Sequence, residues 1–218
     1  MGGTRRAPDA ERRSAGGSPG RRTQAERTAA TRERILGAVV ESIGEVGFGR
    51  TTANEIARRA GVTWGAVQHH FGAKEGILEA VLEESFQRFA RLLEEIPASG
   101  SLEERVAMFV DRAWKHFSSP HYRSTLEILL HLAPAQSADE SDWQRGMAEA
   151  LNRIWKRLFA DTSLPPRRAA ILQRYVVSVL SGLSSMEMLA GVSHSRAAEL
   201  ALLEQTLTRE LRSARPRD

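Results

Sequence analysis

Hydrophobic residues recur at intervals of three and four along most of the chain, from about residue 26 to residue 211. This interval places them along one face of a helix, and no stretch alternates apolar and polar residues as a half-buried strand would. The pattern therefore predicts an all-α protein of about nine helices. The absence of a repeat period excludes a solenoid.

Glycine, proline and capping residues predict where these helices begin and end. The first runs from about Glu26 to Val46, and a longer one begins near Ala73 and ends before Pro97. The next helix opens with a capping box at Ser101, in which a hydroxyl and a carboxylate each pair with a free backbone N–H, and Pro120 breaks it.

The second half of the chain continues with long helices. Residues 121–133 are apolar on almost every side, which predicts a helix buried in the middle of a bundle. A polar loop leads to a helix over about residues 143–158, and Pro165-Pro166 start another that ends at Gly191. The predicted apolar face of that helix consists of Leu172, Tyr175, Val176, Val179, Leu183 and Met186.

Two short helices between residues 52 and 72 carry the most specific pattern. Thr52 is a good cap for the first, and Gly61 ends it and allows a tight turn. Thr63 caps the second, which closes at Phe71-Gly72. Two helices of about eight residues joined by a three-residue turn containing glycine predict a helix-turn-helix. Its second helix could lie in a DNA major groove about 12 Å wide.

Helical geometry divides the second helix into two sides. Val67 and Phe71 face the core, whereas Thr63, Trp64, Gly65 and Gln68 fall on the other side with His69 on its flank. Glycine inside a helix costs about 1 kcal/mol relative to alanine, and close approach to DNA would offset that cost. Gln68 could reach a phosphate or an adenine edge, and Trp64 a thymine methyl group or a sugar.

The His69-His70 pair raises the alternative of a metal site. Adjacent helical residues point about 100° apart and cannot share a metal, and no histidine or acid stands four residues away to complete a pair. Cysteine is absent, so disulfides and thiol ligands are excluded as well. We expect no metal and no cofactor, with His69 near a phosphate and His70 packed at the helix end.

The stretch "GFGRTTANEIARRAGVTWGAVQHHFGAKEGILEAVLEE", residues 47–84, resembles the DNA-binding domain of the tetracycline-repressor (TetR) family of bacterial transcription regulators. The resemblance spans three helices with fixed spacings; beyond residue 84 only helix number and length agree. It implies an all-helical homodimer in which Thr52 and Lys74 grip phosphates on either side of the groove. Both stand at helix N-termini, where free N–H groups favour an anion.

The family usually has tyrosine at the position of Gln68. The candidate DNA contacts are Thr52, Thr63, Trp64, Gly65, Gln68, His69 and Lys74.

In that family the variable C-terminal domain usually binds a small molecule, which changes the spacing of the two DNA-reading heads. Aromatic residues of the C-terminal half could line such a pocket for a small hydrophobic or aromatic ligand, although ordinary core packing is the favoured interpretation for any single one. Glu127 and His131, four residues apart on one helix, could pair with each other or meet the ligand together. The candidate ligand contacts are Phe109, Trp114, Phe117, Glu127, His131, Trp143, Met147 and Trp155.

The last two helices are the expected dimer contact, again as in the family. Small residues on the first would permit close helix approach, and leucines on the second would supply apolar area in a four-helix bundle. Packing within one chain could explain the same leucines. The candidate interface residues are Ser178, Ser181, Gly182, Ser185, Leu200, Leu203 and Leu207.

The charge distribution adds a third region. Nine basic and four acidic side chains give residues 1–34 a net charge of +5, whereas the whole chain carries +4. A cationic end on a near-neutral body suggests contact with a polyanion, or merely a solvated tail. We therefore expect a disordered arginine-rich arm over residues 1–24, a helix-turn-helix domain over 25–72 and a helical ligand-binding and dimerisation domain over 73–218.

These features predict a sequence-specific regulator, most simply a repressor that binds a palindromic double-stranded DNA operator as a homodimer and is released by a ligand. With no membrane segment and no secretory signal, a cytoplasmic location is expected. A DNA-binding regulator controlled by a protein partner is the main alternative. A helical enzyme is a further one, although the sequence lacks a glycine-rich phosphate loop and a clear catalytic constellation.

Overall fold

The computed structural model describes residues 23–132, 142–190 and 195–213. Within these ranges it contains nine α-helices and no strand, which confirms the all-α prediction. A three-residue 3₁₀ turn, Phe48–Arg50, joins the first two helices. The helices are α1 (Gln24–Val46), α2 (Ala53–Ala60), α3 (Trp64–Phe71), α4 (Lys74–Glu94), α5 (Leu102–Phe117), α6 (Pro120–Leu132), α7 (Asp142–Leu158), α8 (Pro166–Ala190) and α9 (Ala197–Ser213).

Three predictions fall on residues outside these ranges. Residues 1–22 contain nearly all of the predicted arm, residues 133–141 contain most of the predicted polar loop, and Gly191 was the predicted end of α8.

Side-chain caps determine where several helices begin. Thr23 and Glu26 form a reciprocal capping box that starts α1 at Gln24, two residues earlier than predicted. Ser101 and Glu104 form the predicted box at the start of α5. Each box satisfies two backbone N–H groups that have no partner inside the helix.

The buried apolar residues form two clusters that meet on α4. The N-terminal core combines α1, α2, α3 and the first half of α4 with Ile128 of α6, while the C-terminal core combines the second half of α4 with α5, Tyr122 of α6, α7, α8 and α9. Along α4, the buried residues up to Leu82 belong to the N-terminal core and those from Phe89 onward to the C-terminal core. Residues 77–82 therefore pack with the helix-turn-helix rather than with the C-terminal helices. One continuous helix therefore links the two parts.

The expectation that α6 is buried on all sides was wrong. Leu130 is 68% exposed and His131 is also exposed. The buried face includes hydroxyl groups as well as Ile128: Ser124 Oγ donates to the Val40 carbonyl at 3.0 Å, and Thr125 Oγ1 donates to Ser85 Oγ at 3.0 Å. These partners lie 84 and 40 residues away, so the periodicity of α6 alone could not indicate which side packs inward.

The buried face of α8 also differs from the predicted one. Leu172 and Val176 are buried as predicted, but the face continues through Leu180, Ser184 and Glu187. Tyr175 and Met186, which were expected to face the core, are exposed instead. No described helix has the length and apolar character needed to cross a membrane.

Candidate nucleic-acid interface

The first helix of the motif, α2, starts with the predicted cap. Thr52 Oγ1 accepts a hydrogen bond from the Glu55 backbone N–H at 3.3 Å, and Thr52 itself is exposed. Ile56, Ala57 and Ala60 form the buried face, as the pattern predicted. This face holds α2 against the N-terminal core and leaves its N-terminus at the surface.

Gly61 makes the turn that separates α2 from α3. Its φ of +65° lies in the left-handed region, which a side chain rarely adopts, and its N–H pairs with carbonyls at the end of α2. Thr63 then caps α3, its Oγ1 accepting from the Ala66 N–H at 3.2 Å. The helix-turn-helix geometry thus has the boundaries predicted from the sequence.

The outer side of α3 carries most of the predicted contacts. Val67 is fully buried, whereas Thr63, Gly65, Gln68 and His69 are exposed. Gly65 sits in open space, since a Cβ built on it would have only Thr63 Oγ1 nearby, at 3.9 Å. The packing of the chain itself therefore does not require glycine at this position.

Trp64 differs from the prediction. It is half-buried and packs against the N-terminal core, so its indole ring does not lie fully on the outer side with Gly65. As the first residue of a short helix it bridges the core and the exposed edge. Part of its ring remains accessible for a contact, but part of it serves as packing.

Lys74 is the first residue of α4 and lies next to the start of α2. Its Nζ is 3.5 Å from the Thr51 carbonyl oxygen, a long hydrogen bond, and 5.0 Å from the centre of the Phe48 ring. Thr52 follows Thr51 directly, so the structure brings the two predicted phosphate-binding positions together. Their placement on either side of a DNA groove stays a prediction.

Two arginines of α2 were not singled out from the sequence. Arg58 donates to the Glu55 carboxylate at 2.7 and 2.9 Å, and Arg59 pairs with both Glu55 and Glu45. Hydrogen bonds from the two guanidinium groups lower the pKa of Glu55 to about 2. These carboxylates neutralise much of the positive charge of α2, which leaves Lys74 as a cation that pairs with no carboxylate in the part of the chain described.

The two adjacent histidines of α3 do not converge on one point. Their rings meet edge to face with centres 5.7 Å apart, His69 being exposed and His70 partly buried. Among the described residues, no group of three or more histidine, aspartate or glutamate side chains is placed to hold a metal ion.

The candidate ligand contacts fall in three separate places. Phe109, Phe117 and Trp155 are buried in the C-terminal core, with Trp114 packed against it. The apolar crevice beside Phe109 and Trp155 has a volume of about 20 Å³, enough for roughly one water molecule. The aromatic residues therefore fill the core in this structure.

Trp143 and Met147 lie elsewhere, on α7. They line an open groove of about 970 Å³ between α4 and α7, together with charged residues such as Arg32 and Glu83. Trp143 packs against the N-terminal core rather than against the aromatic residues of the C-terminal core.

Glu127 and His131 belong to a third place, the contact of α6 with the helix-turn-helix domain. Glu127 Oε2 accepts from the Phe48 backbone N–H at 2.8 Å, and the His131 ring lies 4.1 Å from the Phe48 ring, centre to centre. The prediction that these two residues share a ligand pocket with the aromatic residues does not agree with this geometry. Their partner is a turn 79 residues earlier in the chain.

The candidate dimer contacts divide between surface and core. Ser178 and Gly182 are exposed on α8, whereas the hydroxyls of Ser181 and Ser185 are used internally, by Tyr122 Oη and the Ser181 carbonyl. Leu203 and Leu207 of α9 are fully enclosed by the C-terminal core of their own chain, and Leu200 packs against it. The assignment of Leu203 and Leu207 to a dimer contact is therefore corrected, because their side chains are already covered, whereas that of the partly buried Leu200 stays a prediction.

This geometry defines a class of protein: a helical regulator with a helix-turn-helix head. Residues 35–81 match the family described as bacterial regulatory proteins, tetR family. The chain is 31% identical over 182 residues to the HTH-type transcriptional regulator BetI of Escherichia coli strain K12, which covers 67% of this chain and 92% of that protein. It is 28% identical over 195 residues to BetI of Serratia proteamaculans, covering 85% and 94%.

The fold agrees with solved structures as well. A TetR transcription regulator from Haloarcula marismortui superimposes with a TM-score of 0.62 at 18% identity, over 85% of this chain and 98% of that one. The protein belongs to the tetR family of bacterial regulatory proteins and is a DNA-binding transcription regulator. The prediction of family, fold and general function from the sequence is confirmed.

Proposed function

We propose that the protein is a homodimeric repressor that places α3 of each subunit in the major groove of a palindromic operator. The observation that carries the proposal is the exposed outer side of α3 in the helix-turn-helix, where Gly65 leaves open space beside the helix backbone. Gly65 stands between the exposed Thr63 and Gln68, so the α3 backbone can approach base edges closely there. The protein acts in the cytoplasm, where it binds DNA and catalyses no reaction.

Phosphate contacts flank this reading surface. Thr52 and Lys74, brought together at the starts of α2 and α4, bind one stretch of the DNA backbone. Gln68 reads a base or binds a phosphate, His69 contacts a phosphate, and Trp64 contributes the exposed part of its ring. The +5 segment of residues 1–34 precedes and opens this domain and adds further cationic contacts.

The dimer forms through an exposed face of α8. Residues spaced by three and four along this helix lie at the surface of the single chain, and Met186 and Leu189 among them are 57% and 83% exposed. An apolar face of this kind on one long helix is unusual for a monomer and fits a two-fold helix contact. The face consists of Ile171, Tyr175, Ser178, Gly182, Met186 and Leu189.

A small hydrophobic effector binds between α7 and α8. A surface cavity of about 520 Å³ lies there, and it shares Trp155 and Gln173 with the small apolar crevice of the C-terminal core. Gln173 Nε2 donates to Asn152 Oδ1 at 3.1 Å and so ties the two helices together beside the cavity. A ligand that moves Trp155 would join the two spaces into a pocket of the usual size for a small molecule.

The small volume of the crevice also favours the second candidate, a regulator controlled by a protein partner with no small-molecule ligand. Titration of hydrophobic compounds against operator-bound protein distinguishes the two. Release of DNA by one of them supports the effector, and the absence of release across a broad panel supports the protein partner.

The test of DNA reading is a matched pair of substitutions. Gly65→Glu places a bulky anion on the exposed side of α3 that is proposed to read DNA (the reading face). We therefore expect at least a hundredfold loss of operator affinity without a change in folding or dimerisation. Gly146→Glu introduces the same side chain at another exposed helical glycine with open space around it, on α7, and should leave affinity unchanged. Equal affinity of the two variants in fluorescence anisotropy would contradict the docking of α3.

A further inference from the structure

The turn between α1 and α2 is held in place by α6. Phe48 opens this 3₁₀ turn, none of whose residues is buried. The first N–H groups of a helical turn have no partner inside it, and the carboxylate of Glu127 accepts from the Phe48 N–H at 2.8 Å. The turn therefore depends on a side chain from the C-terminal part of the chain for one of its hydrogen bonds.

A second residue of α6 contacts the same phenylalanine. His131 stands one helical turn beyond Glu127, and its ring centre is 4.1 Å from that of Phe48. The Lys74 ammonium group lies 5.0 Å from the Phe48 ring centre, within the range of a cation–π contact. Phe48 thus touches both α6 and the lysine at the start of α4.

Thr51 connects this cluster to the start of α2. It is buried, and its hydroxyl donates to the Gly47 carbonyl at 3.0 Å and lies 3.1 Å from Ser42 Oγ. Its own carbonyl accepts from Lys74 Nζ. Because Thr52 is the next residue, the turn, Lys74 and the cap of α2 form one connected unit.

We propose that Glu127 and His131 are positioning residues for DNA binding. Neither contacts DNA: they fix Phe48, and through Phe48 they fix Lys74 and Thr52 relative to α3, so that the phosphate contacts and the base contacts are made together. The inference rests on the proposed function, since the positions that it explains are the proposed phosphate contacts.

Two substitutions at Glu127 test whether its hydrogen bond to the Phe48 N–H is what matters for DNA binding. Glu127→Gln keeps an oxygen acceptor for the Phe48 N–H and should bind operator within about twofold of the wild type. Glu127→Ala leaves that N–H unpaired and should weaken binding about tenfold. His131→Phe keeps a ring against Phe48 and should bind normally, whereas His131→Ala should lose affinity. Leu130→Ala alters an exposed residue of the same helix and is the matched control.

A double-mutant cycle tests whether Glu127 acts through Lys74. If Lys74→Ala weakens binding about tenfold in the wild type, it should add less than about threefold in the Glu127→Ala background, where Lys74 is already displaced. Salt dependence gives an independent measurement, because each lost phosphate contact should lower the slope of log K against log salt by about one unit. Full additivity, or wild-type affinity of Glu127→Ala, would overturn the proposal.

A measurement without DNA distinguishes failure of this inference from failure of the proposed function. Amide hydrogen exchange at Phe48 should be at least tenfold faster in Glu127→Ala and unchanged in Glu127→Gln and Leu130→Ala. If exchange behaves this way but the wild type binds no duplex, the proposed function is wrong and the positioning role falls with it. If the wild type binds and exchange at Phe48 is the same in all variants, only the positioning role is wrong.

Discussion

At the residue scale, a buried histidine gives the C-terminal core a pH-dependent stability. His116 is buried and stacks on Phe89 with ring centres 4.9 Å apart, beside Phe117 and Tyr122. Burial, together with the smaller effect of the nearby positive charge of His121, lowers the pKa of His116 to about 4. The folded protein therefore holds this imidazole neutral at pH values where the unfolded chain would protonate it.

The sign of the effect follows from this lowered pKa. The stability is present above pH 6.5 and is lost as the pH falls towards 4, because the unfolded state then binds the proton more strongly. Between pH 7 and pH 5 the loss should be about 2 kcal/mol in the free energy of unfolding.

Replacement of the imidazole tests this expectation. His116→Phe keeps an aromatic ring against Phe89 but cannot bind a proton, so most of the decline in stability between pH 7 and pH 5 should disappear in urea titrations. A smaller decline should remain, because burial also lowers the pKa of His121. An unchanged decline in the variant would show that the titration of His116 is not its cause.

Contacts between near neighbours could be predicted from the sequence at this scale. The caps at Thr52 and Thr63 and the turn at Gly61 involve residues no more than four positions apart, so these motifs can be recognised from the sequence alone. The partner of Phe48 could not be predicted in this way. Glu127 is 79 residues away, and a carboxylate and a histidine on an apolar helix suggested a ligand rather than a turn.

At the element scale, glycines at the junction of α3 and α4 determine how these two helices meet. Gly72 has a φ of +71°, and a Cβ added to Gly76 would lie 2.2 Å from the Phe71 carbonyl oxygen. No side chain fits in that space, so the close approach of the start of α4 to the end of α3 requires glycine. The same junction sets the position of Lys74 relative to the reading face.

Gly76→Ala should therefore open this junction. The clash is with backbone, which cannot move aside as a side chain can, so we expect a loss of about 1–3 kcal/mol in the free energy of unfolding and weaker operator binding. Gly37→Ala is the matched control in α1, since nothing lies within 4 Å of the added Cβ, and it should be neutral or slightly stabilising. Equal stability of the two variants in thermal unfolding would contradict the account of the junction.

Helix positions could be predicted well, but helix faces only in part. Periodicity gave α6 and α8 their approximate limits because apolar spacing reports a helix directly. It did not show that hydroxyls of Ser124 and Thr125 would be buried through distant partners, while Leu130 would face outward. An apolar residue is equally compatible with a core and with a contact between chains, and only the packed structure separates them.

At the scale of the whole molecule, two hydrophobic cores meet along α4. The N-terminal core supports α3, the helix proposed to read DNA, and the C-terminal core supports α8, whose exposed face is the proposed dimer contact. Leu203 and Leu207 illustrate the difficulty of predicting assembly from sequence, because the family resemblance placed them between subunits and the fold encloses them within one. The exposed Tyr175 and Met186 take their place as candidates for the contact between subunits.

The proposed dimer requires a particular arrangement of its DNA site. Two copies of α3 related by a two-fold axis must meet two half-sites of opposite orientation, with centres roughly 34–36 Å or a multiple of that distance apart. A selection of bound sites from random duplexes, made with the full-length protein at moderate salt, measures the orientation and spacing of the half-sites directly. The account predicts one enriched palindrome whose half-sites have this spacing. Enrichment of a single asymmetric site, or of no sequence at all, would contradict it.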